Sequence, residues 1–527
     1  MVKKLLLTFL FLTVFINANA ARIYVDANAT GSNNGSSWVN AYTTIEDALN
    51  ASIIGDEIWI RSGIYKPSTS NGFDIPSGIK VYGSFAGTET SVSERDLVAN
   101  TTTLNGDIGV VGNDFDNANH VVIMTNVNNQ TRLDGFRIIN GYANNVLNAS
   151  KGGGLYNLNG SPTIANCIFI SNYSNDFGGA IVSEGGNIII EDCDINNNTS
   201  VDTGGGVYFS QSGTGIIRRT KINTNTCTLG SGGGVSTSNG VTSLIMDRCE
   251  ISGNTTQDFG GAAVIGDDTS FSIYNSVILG NISDVNTIYM HTTFNTGSHE
   301  IINCTFSGNN LVNNTSGFST TIRVTTSTTV SNSVFWDNDA AGEIYRVGAG
   351  ITDPSVNNCL IDGGFATGTG NIDINPNFSS PAIPAFAPFS ISDGYDYSLS
   401  MSSPAIDSGD NGALSPVFNL DFLGNARIFN GTVDMGAYED GPLSVGEVTG
   451  NSIKLYPNPA KEFMILQTNE EIVKVELYDI SGRKLSNNSY SFQNSRIDFE
   501  SINTGVYLVK IYTNSNAIQT SKVIITK

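Results

Sequence analysis

The chain has 527 residues, too many for one ordinary domain, and 26 Lys and Arg against 48 Asp and Glu give a net charge of −22. That balance argues against nucleic acid and anionic membrane surfaces as partners, and three histidines in all (His120, His291, His299) exclude a His-rich metal site. Only 14% of residues are charged while Gly numbers 57, the mark of a repetitive all-β chain rich in turns, and an apolar fraction of 39% still supports a core.

Lys3 and Lys4, the apolar run Leu5 to Ile16 and the small residues Ala18-Asn19-Ala20 read as a signal peptide over 1–20, cut before Ala21. The run is too short to span a membrane, and no later stretch approaches that length. Ile23-Tyr24-Val25-Asp26 predicts a strand. Trp38 to Ala51 spaces Tyr42, Ile45, Ala48 and Leu49 as on one helix face, which predicts a short helix capping an open end. Asp56 to Ile60 starts the next unit.

From there a repeat takes over. A small residue, a gap, a large apolar residue, two more and an Asn recur as Cys167-x-Phe169-x-x-Asn172, Cys193-x-Ile195-x-x-Asn198 and Thr220-x-Ile222-x-x-Asn225. The series continues through Asn254, Asn281, Asn309 and Asn338 and half survives at Cys359-x-Ile361, with steps of 26 to 29 residues. Gly-Gly pairs keep step at Gly152, Gly178, Gly204, Gly232 and Gly260. About 27 residues hold three short strands and three turns, and such a unit buries its apolar face only against its neighbours, about 4.8 Å away. The expected fold is a right-handed parallel β-helix, with Phe169, Ile195, Ile222, Ile251, Ile278, Phe306 and Phe335 stacked inside and the Asn residues laddered in a turn.

Gly178-Gly179-Ala180-Ile181 and Phe169-Ile170-Ser171-Asn172 resemble the GGAI and FxxN repeats of chlamydial polymorphic membrane proteins, and more broadly the chain resembles the pectate-lyase-like β-helix superfamily. Val81 to Glu89 is similar to a segment common in secreted bacterial β-helix proteins. Ser403 to Asp410 and Val433 to Glu439 resemble the module that closes such helices. The resemblance implies a β-helix over 21–440 with a closing module near 400–440, then a linker over 441–452.

Residues 453–527 lack the repeat and read as a small β-sandwich. Leu455-Tyr456-Pro457-Asn458-Pro459-Ala460, Val475 to Arg483 with its Ile480-Ser481-Gly482-Arg483 turn, and Gly505-Val506-Tyr507 resemble, in order, the type A sorting domain of the type IX secretion system of Bacteroidota. Pro457, Asn458, Pro459, Gly482, Gly505 and Tyr507 carry that match. It implies the type IX machinery as a partner, passage through the periplasm, and removal of this domain with release or surface attachment.

The chemistry is read more sparingly. Cys167, Cys193, Cys249, Cys304 and Cys359 fall on one ladder, mostly two coils apart and beyond disulfide reach, so they read as buried small fillers. Glu191, Arg218 and Asp247 occupy equivalent positions, as do Asp192, Arg219 and Arg248, and a salt-bridged outer face follows. Lys221 stands between Asp194 and Glu250. β-Helix lyases use a Lys or Arg base beside Ca²⁺-binding carboxylates, but flanking carboxylates keep a lysine protonated and make it a poor base. Asp176 and Asp202, each near a Gly-Gly turn, are the pair that Ca²⁺ would use; turn formation is the simpler role. Gly266-Asp267-Asp268 resembles one motif of the polygalacturonate hydrolases, without a His-Gly partner. Tyr173, Phe177 and Phe259 are aromatics that could stack on sugars. No other cofactor is read. The expected function is an adhesin-like scaffold on the cell surface or outside the cell that binds polysaccharide or a surface; the alternative is a Ca²⁺-dependent polysaccharide lyase.

Overall fold

Alternation within each repeat sends every second residue to a common interior, and stacking closes that interior. The structure, a computed structural model, describes residues 20–526 apart from 145–149, 291–296, 313–319, 325–327, 341, 347–353, 383–386, 441–453, 457–459, 468–471, 480–483, 486–489, 494, 500–501 and 514–517. The signal peptide, the linker, His291, Pro457, Asn458, Pro459 and Gly482 thus lie outside the described residues, save Ala20 of the signal peptide.

One coil shows the plan: strands Leu155–Leu158, Thr163–Ala165, Ile168–Ile170 and Tyr173–Ser174 follow one another. The first two strands of each coil build a broad 20-stranded parallel sheet with an entry half and an exit half, fused into single strands at Ile181–Glu191 and Val207–Arg218. Third strands build an 11-stranded parallel middle sheet and fourth strands a short 7-stranded one. The predicted interior column is in register: Phe169 pairs with Ile195, then Ile222, Ile251, Ile278, Phe306 and Phe335. All are fully buried, and the Phe306 and Phe335 rings stack at 4.5 Å.

The Asn ladder holds this register. The Asn198 carboxamide oxygen accepts both the Asn172 main-chain N–H at 3.1 Å and its Nδ2 at 3.0 Å, and the same pair of bonds recurs from Asn198 to Asn225 and on to Asn338. Each Nδ2 also donates backwards to the preceding coil, as Asn225 does to the Ile195 carbonyl at 2.8 Å. All six cysteines are free and buried, their thiols facing carbonyls such as Ala165 O, 3.1 Å from Cys167 Sγ. Each Gly-Gly pair does two jobs. Gly178 takes φ +59, and a Cβ on Gly179 would lie 2.4 Å from the Gly205 carbonyl oxygen of the next coil.

Two ends differ from expectation. The capping helix is Ile45–Ala51 alone, with Ile45, Ala48 and Leu49 buried. Tyr42 falls outside it because its N–H and C=O are taken by Tyr24 and Asp26; Thr44 then caps the helix, its hydroxyl accepting from the Asp47 N–H. At the other end the last middle-sheet strand, Leu360–Ile361, is closed by Ile372, whose N–H donates to the Cys359 carbonyl at 2.9 Å, with Phe365 packed on the core. Residues 400–440, expected to close the solenoid, lie along its flank instead.

Residues 441–527 form a separate unit. Its described strands make a four-stranded and a three-stranded antiparallel sheet sharing one core of Met464, Leu477, Ile497, Val509, Val523 and Ile525. Gly505 pairs with Ile525, and Tyr507 with both Asp479 and Val523.

The Asn ladder ends on an acid. Asn338 Nδ2 donates to both oxygens of buried Glu343, at 3.3 and 3.1 Å. Burial, with Asp362 and Asp337 nearby, pushes the Glu343 carboxyl from 4.5 up to about 8. Below pH 4.5 both folded and unfolded chains hold this proton, and the contribution is whole. Between 4.5 and about 8 only the folded chain holds it, so stability falls with rising pH, by an amount on the order of a few kcal/mol. Glu343→Gln should flatten that part of the curve. Urea midpoints taken near the two ends of this range test it, and equal pH slopes for wild type and variant would refute the assignment.

Candidate functional site

The outer faces decide what the solenoid can bind. On the middle sheet, Ile168, Asp194, Lys221, Glu250, Val277, Thr305 and Val334 form one outward column. The predicted trio is therefore in register, but its ion pairing is not formed among the described residues. The Asp194 carboxylate accepts from Asn196 Nδ2 at 2.8 Å. Glu250 is buried, and its Oε1 accepts from Ser252 Oγ at 2.7 Å and from the Ile391 N–H at 3.0 Å. Lys221 stays exposed between them.

Ile391 belongs to an arm, residues 378–440, that runs back over the second half of this face. Phe389, Tyr397, Ala437 and Tyr438 pack on Val277 and Leu279, and Ala405 and Met435 on Val334 and Leu360. The Ala437 N–H donates to Thr305 Oγ1 at 3.0 Å. Inside the arm, buried Arg427 donates to the carbonyls of Asp434, Gly436 and Ala437, while the Asp434 carboxylate accepts the N–H groups of Asp407 and Asp440. The Asp and Gly residues singled out in this module brace turns. The solenoid below is shaped to match: where open coils place Ser171, Asn197 and Thr224 in left-handed turns, the three coils that meet Phe389 place Gly253, Gly280 and Gly308, and the next coil returns to Asp337. A Cβ on Gly280 would lie 2.7 Å from the Phe389 carbonyl oxygen.

The Asp176 carboxylate accepts the Ser150 hydroxyl, and Asp202 stacks on it through its N–H to the Asp176 carbonyl at 3.0 Å. Among the described residues no third acidic, Cys or His group joins them. Asp267 is buried in the turn before strand Ser270–Tyr274 of the broad sheet, on a different face from Lys221. Phe177 stacks on Tyr208 at 4.6 Å and Phe259 lies tilted against Tyr289 at 4.5 Å, so each ring has one side against a neighbouring ring.

The exit half of the broad sheet carries what the spacing of charges did not reveal, a trough along the helix axis. Lys80, Arg132, Thr163, Ile189 and Ile216 form its floor, one residue per coil and in register. Two hollows lie along it. One of about 410 Å³ is lined by Lys80, Asn129, Gln130, Arg132 and Thr163, and one of about 460 Å³ by Asn128, Asn129, Ser161, Thr163, Asn187, Ile189, Thr214 and Ile216. Amides and hydroxyls form one rim: the Asn187 N–H donates to Ser161 Oγ, and Asn187 Oδ1 accepts the Thr214 N–H, both at 3.0 Å. The opposite rail is ionic. Arg95 and Arg132 share Asp134, Arg132 also reaches Glu191 at 3.2 Å, and Arg218 meets Glu191 at 2.6 Å. Arg219 bridges Glu191 and Asp192, whereas Arg248 pairs within its own coil with Asp247. Burial pushes Glu191 up, but Arg218 and Arg132 outweigh it and hold the carboxyl below its ordinary range. The floor had a signal in the sequence: in Asn187-Ile188-Ile189-Ile190 the outer two isoleucines face the core, so alternation puts Ile189 outside.

The described unit 1 is thus a parallel β-solenoid with one flank covered and one axial trough open. Residues 454–526 match the family described as the secretion system C-terminal sorting domain. The chain therefore carries a type IX sorting domain C-terminal to its solenoid in sequence, and the protein is secreted across the outer membrane to the surface or exterior. Among solved structures it is similar to pectate lyase Pel9A, with 16% identity and a TM-score of 0.48 over 80% of this chain and 97% of that one. It also matches the tailspike protein gp49 of Acinetobacter baumannii bacteriophage Fri1, a capsular polysaccharide depolymerase, at 12% identity and a TM-score of 0.24 over 97% and 80%. No curated protein matches the chain.

The arm's seat is testable. Gly280→Ala should destabilise unit 1 by about 1–3 kcal/mol and speed proteolysis within 378–440, because the new methyl meets Phe389 in a turn at φ +58. Ser171→Ala, in the same turn of an open coil, should do much less. Equal effects of the two changes, in thermal melts and in limited proteolysis, would mean the arm does not rest on these glycines.

Proposed function

We propose that the solenoid is an extracellular scaffold that lays a polysaccharide chain along the trough and holds it without cutting it. One observation carries the reading: a floor of one residue per coil, cationic at Lys80 and Arg132 and turning apolar at Ile189 and Ile216, between an amide rim and an ionic rail. Pyranose rings present C–H faces to such a floor and hydroxyls to Asn128, Asn129 and Asn187. Five coils from Lys80 to Ile216 span about 19 Å, room for a short run of sugar units. The Arg rail is already paired with carboxylates, so the trough offers hydrogen bonds more than net charge and suits neutral sugars. Lys221, the candidate base, lies on another face, exposed to water, which supports holding over β-elimination.

Affinity electrophoresis of the full chain against neutral and acidic polysaccharides, with and without Ca²⁺, tests this. Retardation by a neutral polymer is expected, and Ile189→Arg should weaken it about tenfold or more by blocking the floor. Chain cleavage with new ultraviolet-absorbing unsaturated ends, lost in Lys221→Ala, would replace the scaffold reading with the Ca²⁺-dependent lyase. Unchanged binding by Ile189→Arg would move the site elsewhere.

A further inference from the structure

A second ring-bearing surface lies on the short sheet, away from the trough. Tyr142 and Tyr173 are register partners on adjacent coils, and their rings stack at 4.5 Å with 15° between planes. Phe115 meets Tyr142 edge-on at 5.7 Å and is itself 79% exposed. A single exposed Phe is ordinary on a protein surface. This one sits on a loop with its own internal ties. Asp116 Oδ2 accepts the Val110 N–H at 2.9 Å, and a Cβ on Gly109 would strike the Asp116 carboxyl at 2.4 Å. The Ala118 N–H closes the loop on Gly106 at 2.8 Å, and the Tyr142 N–H bonds Ala118 at the same distance. The loop base is thus tied to the strand that bears the stack.

The column continues past Tyr173 as Thr199, Thr226 and Thr255. A threonine is shorter than a tyrosine ring, and Tyr173 stays half-buried beside a shelf of hydroxyl-bearing side chains. Neither phenol hydroxyl has a partner among the described residues, which leaves two donors at the edge of the stack. An exposed Phe ring, two half-buried tyrosines with free hydroxyls and a threonine shelf match the alternating C–H faces and hydroxyls of a sugar chain better than they match a protein side-chain cluster.

We propose that Phe115, Tyr142 and Tyr173 form a second carbohydrate-binding platform, one that stacks sugar rings and works independently of the trough. The ligand class rests on the polysaccharide reading above; the location does not. Two sites on one rigid scaffold raise avidity for a polymer without new contacts at either.

The test uses the full chain and three insoluble probes: cellulose, chitin and mannan. Phe115→Ala and Tyr173→Ala should each weaken binding to at least one probe about tenfold, Tyr173→Phe should retain most of it, and urea midpoints of Phe115→Ala should match wild type because the ring is exposed. Ile189→Arg separates the two sites. Loss with Ile189→Arg but not with Phe115→Ala or Tyr173→Ala overturns the platform and keeps the trough. Loss with Val110→Ser or Val111→Ser, exposed aliphatic neighbours on the loop, but not with the aromatic changes, also overturns it, in favour of a protein or lipid partner. If wild type binds none of the probes, the polysaccharide reading fails, and the platform fails with it.

Discussion

One carboxamide per coil governs this molecule. Each Asn of the ladder accepts two bonds from the coil before it and donates to that same coil's main chain, so no coil can slip without leaving buried amide groups unpaired, at roughly 1–3 kcal/mol each. Register fixed there is register fixed everywhere. It aligns the Cys, Ser and Thr ladder, stacks Phe and Ile inside, and makes outward side chains repeat as straight columns. A column is the surface such a fold repeats, and its chemistry is set by what one position holds on successive coils.

The columns have different fates. On the middle sheet, hydrophobic residues from Val277 onward are roofed by the arm, and the glycines at 253, 280 and 308 make room for it. Upstream the same column turns polar at Asp194 and Lys221 and stays bare. Among the described residues no such roof covers Thr163, Ile189 and Ile216 on the exit half of the broad sheet, and there the half-buried isoleucines lie beside paired charges. A rigid, in-register stripe of this kind suits a ligand that is itself linear and periodic. Secretion to the surface or exterior carries that stripe across the outer membrane.

Much of this was legible before any coordinates. The spacing of Phe169, Ile195 and their successors predicts the interior column residue by residue, because a two-residue alternation and a near-constant repeat leave no other register. The free thiols follow from the same spacing. The pairing of Lys221 was not legible: charges on equivalent positions look like partners, but Glu250 is withdrawn under the arm to meet the Ile391 N–H, a contact spanning 141 residues. The arm itself left a trace, the switch from Ser171, Asn197 and Thr224 to Gly253, Gly280 and Gly308, which reads as loose repeat drift until Phe389 is seen above it. The trough was hidden for a related reason. Runs such as Asn187 to Ile190 look like plain core, and only the direction of alternate side chains shows that one isoleucine in three faces outward.

The central claim is that a sugar chain lies parallel to the solenoid axis, coil by coil. A crystal structure of the secreted protein with a bound oligosaccharide tests it most directly. The account predicts successive rings over Thr163, Ile189 and Ile216, with hydroxyls bonded to the Asn128, Asn129 and Asn187 rim. A sugar lying across the strands, or seated beside Lys221 on the middle sheet with the trough empty, would contradict it.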